Sequence, residues 1–141
     1  ATQVAKALEL NPRIPGGITH GYPWRDYLDG DRFALTDDMW APLADNEICL
    51  EVGFPFRIGD KFDFPYRKCW PVLEAMARHL GARRLMWGTD MPFQNRFCTY
   101  RQSRDYIEKY TTSILSREDV AQIMGGTAAR LLGLPPRPAV T

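Results

Sequence analysis

The run Arg84-Leu85-Met86-Trp87-Gly88-Thr89-Asp90-Met91-Pro92-Phe93 constrains this chain more than any other stretch. Its bulky apolar residues are bounded by turn formers, and a proline stops it. A short apolar run of this kind reads as a strand buried on both faces, as in parallel sheets. A carboxylate at the end of such a strand faces whatever lies above the sheet. That is where α/β proteins gather ligands and metals. Asp90 is therefore the leading functional candidate, and the rest of the chain is read for how it places that side chain.

Two further strands are expected. Ile18-Thr19 forms the β-branched part of a weak one within residues 13–21, interrupted by Pro15, Gly16 and Gly17 and closed by His20-Gly21. Residues 47–54 form a second, apolar throughout its middle except for Glu51. Helical spacing occupies the ground between. Residues 1–10 form a helix ended by Asn11-Pro12. A second starts at Thr36-Asp37-Asp38, where Thr36 can cap and the aspartates suit the dipole, and it ends at Asp45-Asn46. Pro71 opens a third with Leu73, Met76, Ala77 and Leu80 on one face, and Gly81 stops it. Residues 100–114 form a fourth, and Ser116 with Asp119 starts a short one through Met124. Gly125-Gly126 breaks the chain before a last helix, residues 128–132, capped by Thr127. Residues 22–30 read as loop or short helix, and residues 55–65 as an irregular, aromatic-rich loop.

Strands alternating with helices imply right-handed βαβ units and a parallel sheet. Three such strands alone would leave open edges and a half-covered apolar face. The expectation is that another polypeptide, or other copies of this chain, supply the cover. The first helix begins without a cap, so a missing natural beginning is expected as well.

The 141 residues allow one domain and one core. A formal charge of +1 gives no field to draw nucleic acid or an anionic membrane. No apolar run is long enough to span a bilayer, and no signal-peptide pattern opens the chain. Cys49, Cys69 and Cys98 form no CxxC pair and read as reduced, packed thiols of a cytoplasmic protein.

Other side chains could join Asp90. If Leu50 and Val52 face helices, Glu51 points to the opposite face near the strand's end, either as a site residue or in an ion pair. Arg57 and the aromatics of its loop could grip a substrate carboxylate and stack on a ring, or simply pack. Tyr22 and Trp24 invite the same reading, and Arg96 could face an anionic substrate. His20 could serve a ligand, with Gly21 permitting close approach, or be a buried histidine satisfied by backbone. His79 sits at the end of a helix, where solvent exposure and the dipole account for it.

Residues 81–93 resemble the last barrel strand of the amidohydrolase-related family, in the branch that includes aminocarboxymuconate-semialdehyde decarboxylase and related hydratases and lactonases. Ile18-Thr19-His20-Gly21 is similar to that family's sixth strand. Residues 119–134 are similar to its closing helix, with Thr127 in place of the usual asparagine. The resemblance implies the last three βα units of a (β/α)8 TIM barrel, with residues 1–141 as its carboxyl-terminal part. It implies decarboxylation or hydrolysis of a small carboxylated, cyclic or aromatic-derived compound at a divalent metal, usually zinc. It makes Asp90 a metal ligand and catalytic group, and His20 a catalytic or substrate-orienting one. The family's remaining ligands, a His-x-His pair and a further histidine, are absent from this chain. The polypeptide alone is therefore expected to be inactive. The alternative is a non-catalytic half-barrel subunit that assembles through open sheet edges.

Overall fold

The structure, a computed structural model, describes residues 6–7, 9–10, 16–18, 28–29, 32–33, 36–44, 46–52 and 63–135. In chain order the strands are β1 (Gly17–Ile18), β2 (Leu28–Asp29), β3 (Arg32–Phe33), β4 (Cys49–Glu51) and β5 (Leu85–Met86). The helices are α1 (Asp37–Ala44), α2 (Trp70–Leu80), α3 (Tyr100–Tyr110), α4 (Arg117–Ala121) and α5 (Thr127–Leu131). Residues 6–7 and 9–10 are helical, within the first expected helix.

β1, β4 and β5 form a parallel sheet in that order, with Ile18 beside Leu50 and Leu50 beside Leu85. The expected alternation of strands and helices therefore yields the expected parallel pairing. β4 is the central strand and β5 lies at the sheet's edge among the described strands. Nor is β5 buried on both faces: Leu85 is fully buried, whereas Met86 and Trp87 are half-buried. Ladder pairing ends at Met86, whose carbonyl accepts from Val52 N at 2.8 Å. The next amide, Trp87 N, donates instead to Ile123 O at 2.8 Å. β2 and β3 pair antiparallel, Leu28 opposite Phe33, and β2 lies where the sequence suggested loop or short helix.

The core lies between the sheet and the helices. Leu50 and Leu85 share one buried apolar cluster with Val72, Leu73 and Met76 of α2, Ile107 of α3 and Ile123. Pro71 stands in the first turn of α2, and Gly81 ends it with a φ of 77°, a left-handed value that glycine adopts freely. His79 is half-buried and stacks on Trp40 of α1, with ring centroids 5.0 Å apart, rather than pointing to solvent. Phe64 joins a cluster with Tyr66 and Tyr110, so this part of the aromatic-rich loop packs on the core.

Arg84 ties α1 to β5. Its Nε donates to Ile48 O at 3.0 Å, Nη1 donates to Ala44 O at 3.1 Å, and Nη2 donates to Leu43 O and Asn46 O. The last carbonyls of α1, which have no partner within the helix, are thereby satisfied by a cation at the negative end of its dipole. Burial lowers the Arg84 pKa from its usual value, partly offset by Cys49 and Glu47.

α3 begins with a reciprocal capping box between Thr99 and Gln102. It ends at Tyr110, earlier than its apolar spacing suggests: Thr111 has non-helical backbone angles (φ −97°, ψ 12°), and its buried hydroxyl donates to Ile107 O at 2.7 Å. α4 begins with a second box, Ser116 with Asp119, as expected. The glycines that follow do interrupt the helix, as expected: the turn Gln122–Gly126 kinks at Gly125, whose backbone angles (φ 166°, ψ −25°) are not helical, before α5 begins. Thr127 is the first residue of α5, and no side-chain cap bond closes that end. It is fully buried, and its hydroxyl donates to Ala82 O at 3.2 Å. Among the described residues, no helix is long and apolar enough to cross a membrane.

The three cysteines are buried and form no disulfide. Burial raises the pKa values of Cys98, Tyr66 and Tyr106 above their usual values. Above about pH 9 the unfolded chain ionises these groups while the folded protein keeps them protonated, so stability falls as pH rises. The Tyr66 hydroxyl lies beside the Cys98 thiol, which adds to the rise in its pKa, but makes no hydrogen bond of good geometry. Tyr66→Phe should therefore be near neutral at pH 7 and should flatten the alkaline decline by up to about 1.4 kcal/mol per pH unit. Urea midpoints measured from pH 7 to 11 check this.

Candidate functional site

Period-two alternation in β4 sets the site's geometry. Leu50 and Val52 are buried against the helices, and Glu51, half-buried, takes the opposite face. Met86 pairs with Glu51 on that face. A methyl placed on Gly17 would lie 3.1 Å from the Met86 terminal carbon, so Met86 reaches across toward β1.

Gly88 is where Glu51 meets the Asp90 segment. A Cβ at Gly88 would lie 1.7 Å from Glu51 Oε1 and 2.6 Å from its carboxyl carbon. The carboxylate thus rests against the Gly88 backbone, two residues before Asp90, in space that only glycine leaves open. Gly88→Ala should push that carboxylate aside and destabilise the fold by about 1–3 kcal/mol through overpacking. Adding Glu51→Ala should restore much of the loss, giving a coupling of about 1 kcal/mol or more in a double-mutant cycle by urea unfolding. Additive effects would show that the two residues do not share this space.

Asp90 has a φ of 50°. Among the described non-glycine residues, only Asp90 and Tyr66 are in the left-handed region. Aspartate tolerates that conformation better than most residues, yet it still costs energy, and such conformations concentrate at functional sites. The half-buried Asp90 carries its own carbonyl into the next turn, where Gln94 N donates to it at 3.3 Å. Gln94 is fully buried, and its carbonyl accepts from Phe97 N at 2.9 Å and Cys98 N at 3.1 Å. The turn beyond Asp90, with a 3-10 segment at Phe93–Arg96, is therefore fastened from below.

The structure brings Asp90 and Glu51 to the same end of the sheet. The parallel strands β1, β4 and β5 all finish there. Arg96 follows on the turn after Asp90, exposed, with its guanidinium 5.0 Å above the Phe93 ring. His20, Tyr22, Trp24 and Arg57 lie outside the described residues. Sequence reading missed Gly88 as the seat of Glu51 and Phe93 as the partner of Arg96. The exposed apolar sequence Met91-Pro92-Phe93 directly after Asp90 was the signal for the latter. A groove lined by Glu108, Thr112, Leu115, Ser116, Arg117 and Val120 lies around the far end of α3 and shares no residue with this cluster.

As to a metal, Asp90 has the donor chemistry and partial exposure of one ligand. No group of three or more His, Cys, Asp or Glu residues able to hold a metal ion occurs among the described residues. The chain's two histidines, His20 and His79, form no His-x-His pair. The described side chains thus fit part of a metal centre and do not complete one.

The fold resembles a crystal structure of an amidohydrolase from Burkholderia multivorans with bound HEPES, with a TM-score of 0.73 at 21% identity. The match covers 95% of this chain and 50% of that one, so the chain spans about half that protein's length. A search of curated proteins finds no match. The sequence profile of the amidohydrolase family matches residues 6–134, nearly the whole chain. This chain belongs to the amidohydrolase family.

Proposed function

We propose that this chain is the carboxyl-terminal part of a metal-dependent (β/α)8 enzyme. It would act by decarboxylation or hydrolysis on a small carboxylated, cyclic or aromatic-derived substrate. The observation that carries the reading is the left-handed Asp90 at the carboxyl end of a parallel strand, with the Glu51 carboxylate packed beside it at Gly88. A divalent cation, zinc by expectation, would polarise the substrate and lower the pKa of a bound water.

Asp90 would help to hold that cation and would carry a proton between water and substrate. His20 would steady charge that develops during the reaction. Glu51, Arg57, Trp24 and Arg96 would contact the substrate around the mouth. The remaining ligands would come from an amino-terminal barrel half, a reading supported by the twofold greater length of the similar amidohydrolase.

Mass, zinc content and turnover on a panel of carboxylated aromatics test the proposal together. The expected result is turnover with bound zinc when the amino-terminal half is present, and none from these 141 residues alone. A zinc-free, self-assembled oligomer without turnover would overturn it in favour of a non-catalytic half-barrel subunit.

A further inference from the structure

The end of β5 is held by a helical turn where a sheet would use a strand. Along a strand the backbone groups of successive residues point to opposite sides. Met86 serves β4: its carbonyl accepts from Val52 N at 2.8 Å. The Trp87 N–H therefore points to the other side, the sheet's outer edge among the described strands. An edge amide of this kind is a template for pairing with another strand. In this chain it donates to Ile123 O at 2.8 Å.

The acceptor exists because the helical register shifts between α4 and α5. In an unbroken α-helix the Thr127 N–H would take the Ile123 carbonyl. In the π-helical turn Gln122–Gly126 it takes the Gln122 carbonyl instead. One extra residue in the turn thus releases the carbonyl of Ile123, whose side chain is buried in the core. Turns of this kind recur at functional sites. Gly126 lets the turn close: a β-carbon there would meet Gln122 Oε1 at 2.9 Å and Ala121 O at 3.3 Å. Farther along, Thr127 and Arg130 of α5 donate to Ala82 O and Arg83 O, so the same helical segment grips the chain before β5 as well as after it. The pinned amide immediately precedes Gly88, against which the Glu51 carboxylate rests.

We propose that the turn Gln122–Gly126 is a positioning element for Asp90, acting through the bond from Trp87 N to Ile123 O. This deepens the reading of Asp90 as the reaction centre and rests on it. With the Trp87 amide fixed, Gly88 keeps its place beside Glu51 and the left-handed Asp90 leaves the strand at one angle. Without that bond the strand's end is free to shift and carries Asp90 with it. A reacting group held on rigid structure loses little to misplacement.

The bond can be removed from each side. Replacing Trp87 with its α-hydroxy analogue by nonsense suppression deletes the N–H and keeps every side chain. Deleting Gly125 takes out the extra residue, so that the Thr127 N–H reclaims the Ile123 carbonyl. In both variants the Gln94 amide, which donates to Asp90 O, should exchange with deuterium at least about tenfold faster by NMR. The Cys49 amide, bonded to Gly16 O within the sheet, should change less than about threefold. In the enzyme completed by its amino-terminal half, turnover should fall at least about tenfold with KM within about twofold, since misplacing a reacting group harms the reaction more than binding. Gln94 exchange within about twofold of wild type in the α-hydroxy variant would overturn the proposal, and that variant decides alone if the deletion prevents folding. An equal rise at Cys49 would also overturn it, by showing that the bond stabilises the whole sheet. Failure of the catalytic reading shows separately: turnover untouched by Asp90→Asn, while Gln94 exchange still follows the Trp87 bond, would leave the pin standing and remove Asp90 from the chemistry.

Discussion

Asp90→Asn is expected to lower turnover of the proposed metal-loaded enzyme by about three orders of magnitude, the middle of the range for loss of a proton-transferring group. The variant separates charge from conformation. Asp90 has a φ of 50°, and asparagine tolerates the left-handed region as readily as aspartate. The backbone of the turn, including the Gln94 N bond to Asp90 O, should therefore persist. Alanine is the poorer choice, since it keeps the β-carbon but loses the short polar side chain that offsets the left-handed cost of about 1–2 kcal/mol, which can loosen the turn by itself. The amide side chain introduced by Asp90→Asn also keeps one oxygen for coordination but cannot accept a proton at neutral pH. Zinc content should consequently fall less than turnover. Steady-state kinetics, metal analysis and a thermal melt on the same sample check the three expectations. Wild-type turnover in a correctly folded Asp90→Asn protein would remove Asp90 from the chemistry.

Arg84→Ala should cost about 3 kcal/mol or more of unfolding free energy, among the larger effects of a point change. One guanidinium serves the carbonyls of Leu43, Ala44, Asn46 and Ile48. Its loss strands the end of α1 and the residue before β4 together, and each part-buried carbonyl left without a donor, those of Leu43, Asn46 and Ile48, costs energy. Arg84→Lys should recover less than half, because an ammonium cannot span acceptors spread over that arc. Guanidinium titrations followed by tryptophan fluorescence check both variants. A loss below about 1 kcal/mol for alanine would show that water replaces the guanidinium at these carbonyls.

The parallel sheet was legible because its signals are local. The apolar runs around Leu50 and Leu85, separated by a helix that Pro71 opens and Gly81 closes, admit few other arrangements. The direction of Glu51 was legible for the same reason, since alternation in a strand fixes its face. What escaped depends on partners distant in sequence. Arg84 reads as one of two basic residues, yet its acceptors lie 36 to 41 positions away. Thr127 reads as a helix cap, but its hydroxyl donates to Ala82, 45 positions earlier. The need for glycine at position 88 follows from a neighbouring strand's side chain, which no local pattern contains. The β2–β3 hairpin was missed although Gly30-Asp31, the two residues between its paired ends, is a known hairpin signal.

The two capping boxes bear on the order in which this chain assembles. Thr99 with Gln102, and Ser116 with Asp119, close within four residues of sequence, as do the ion pairs Arg104–Glu108 and Asp105–Lys109 along α3. Such contacts form early, because little chain entropy is lost in closing them, whereas β1, β4 and β5 must each meet across about thirty residues or more. Nascent helix in the carboxyl-terminal third would then wait on the slower docking of strands. Substitutions at Thr99 or Ser116 would slow folding, and those at Leu50 would chiefly speed unfolding.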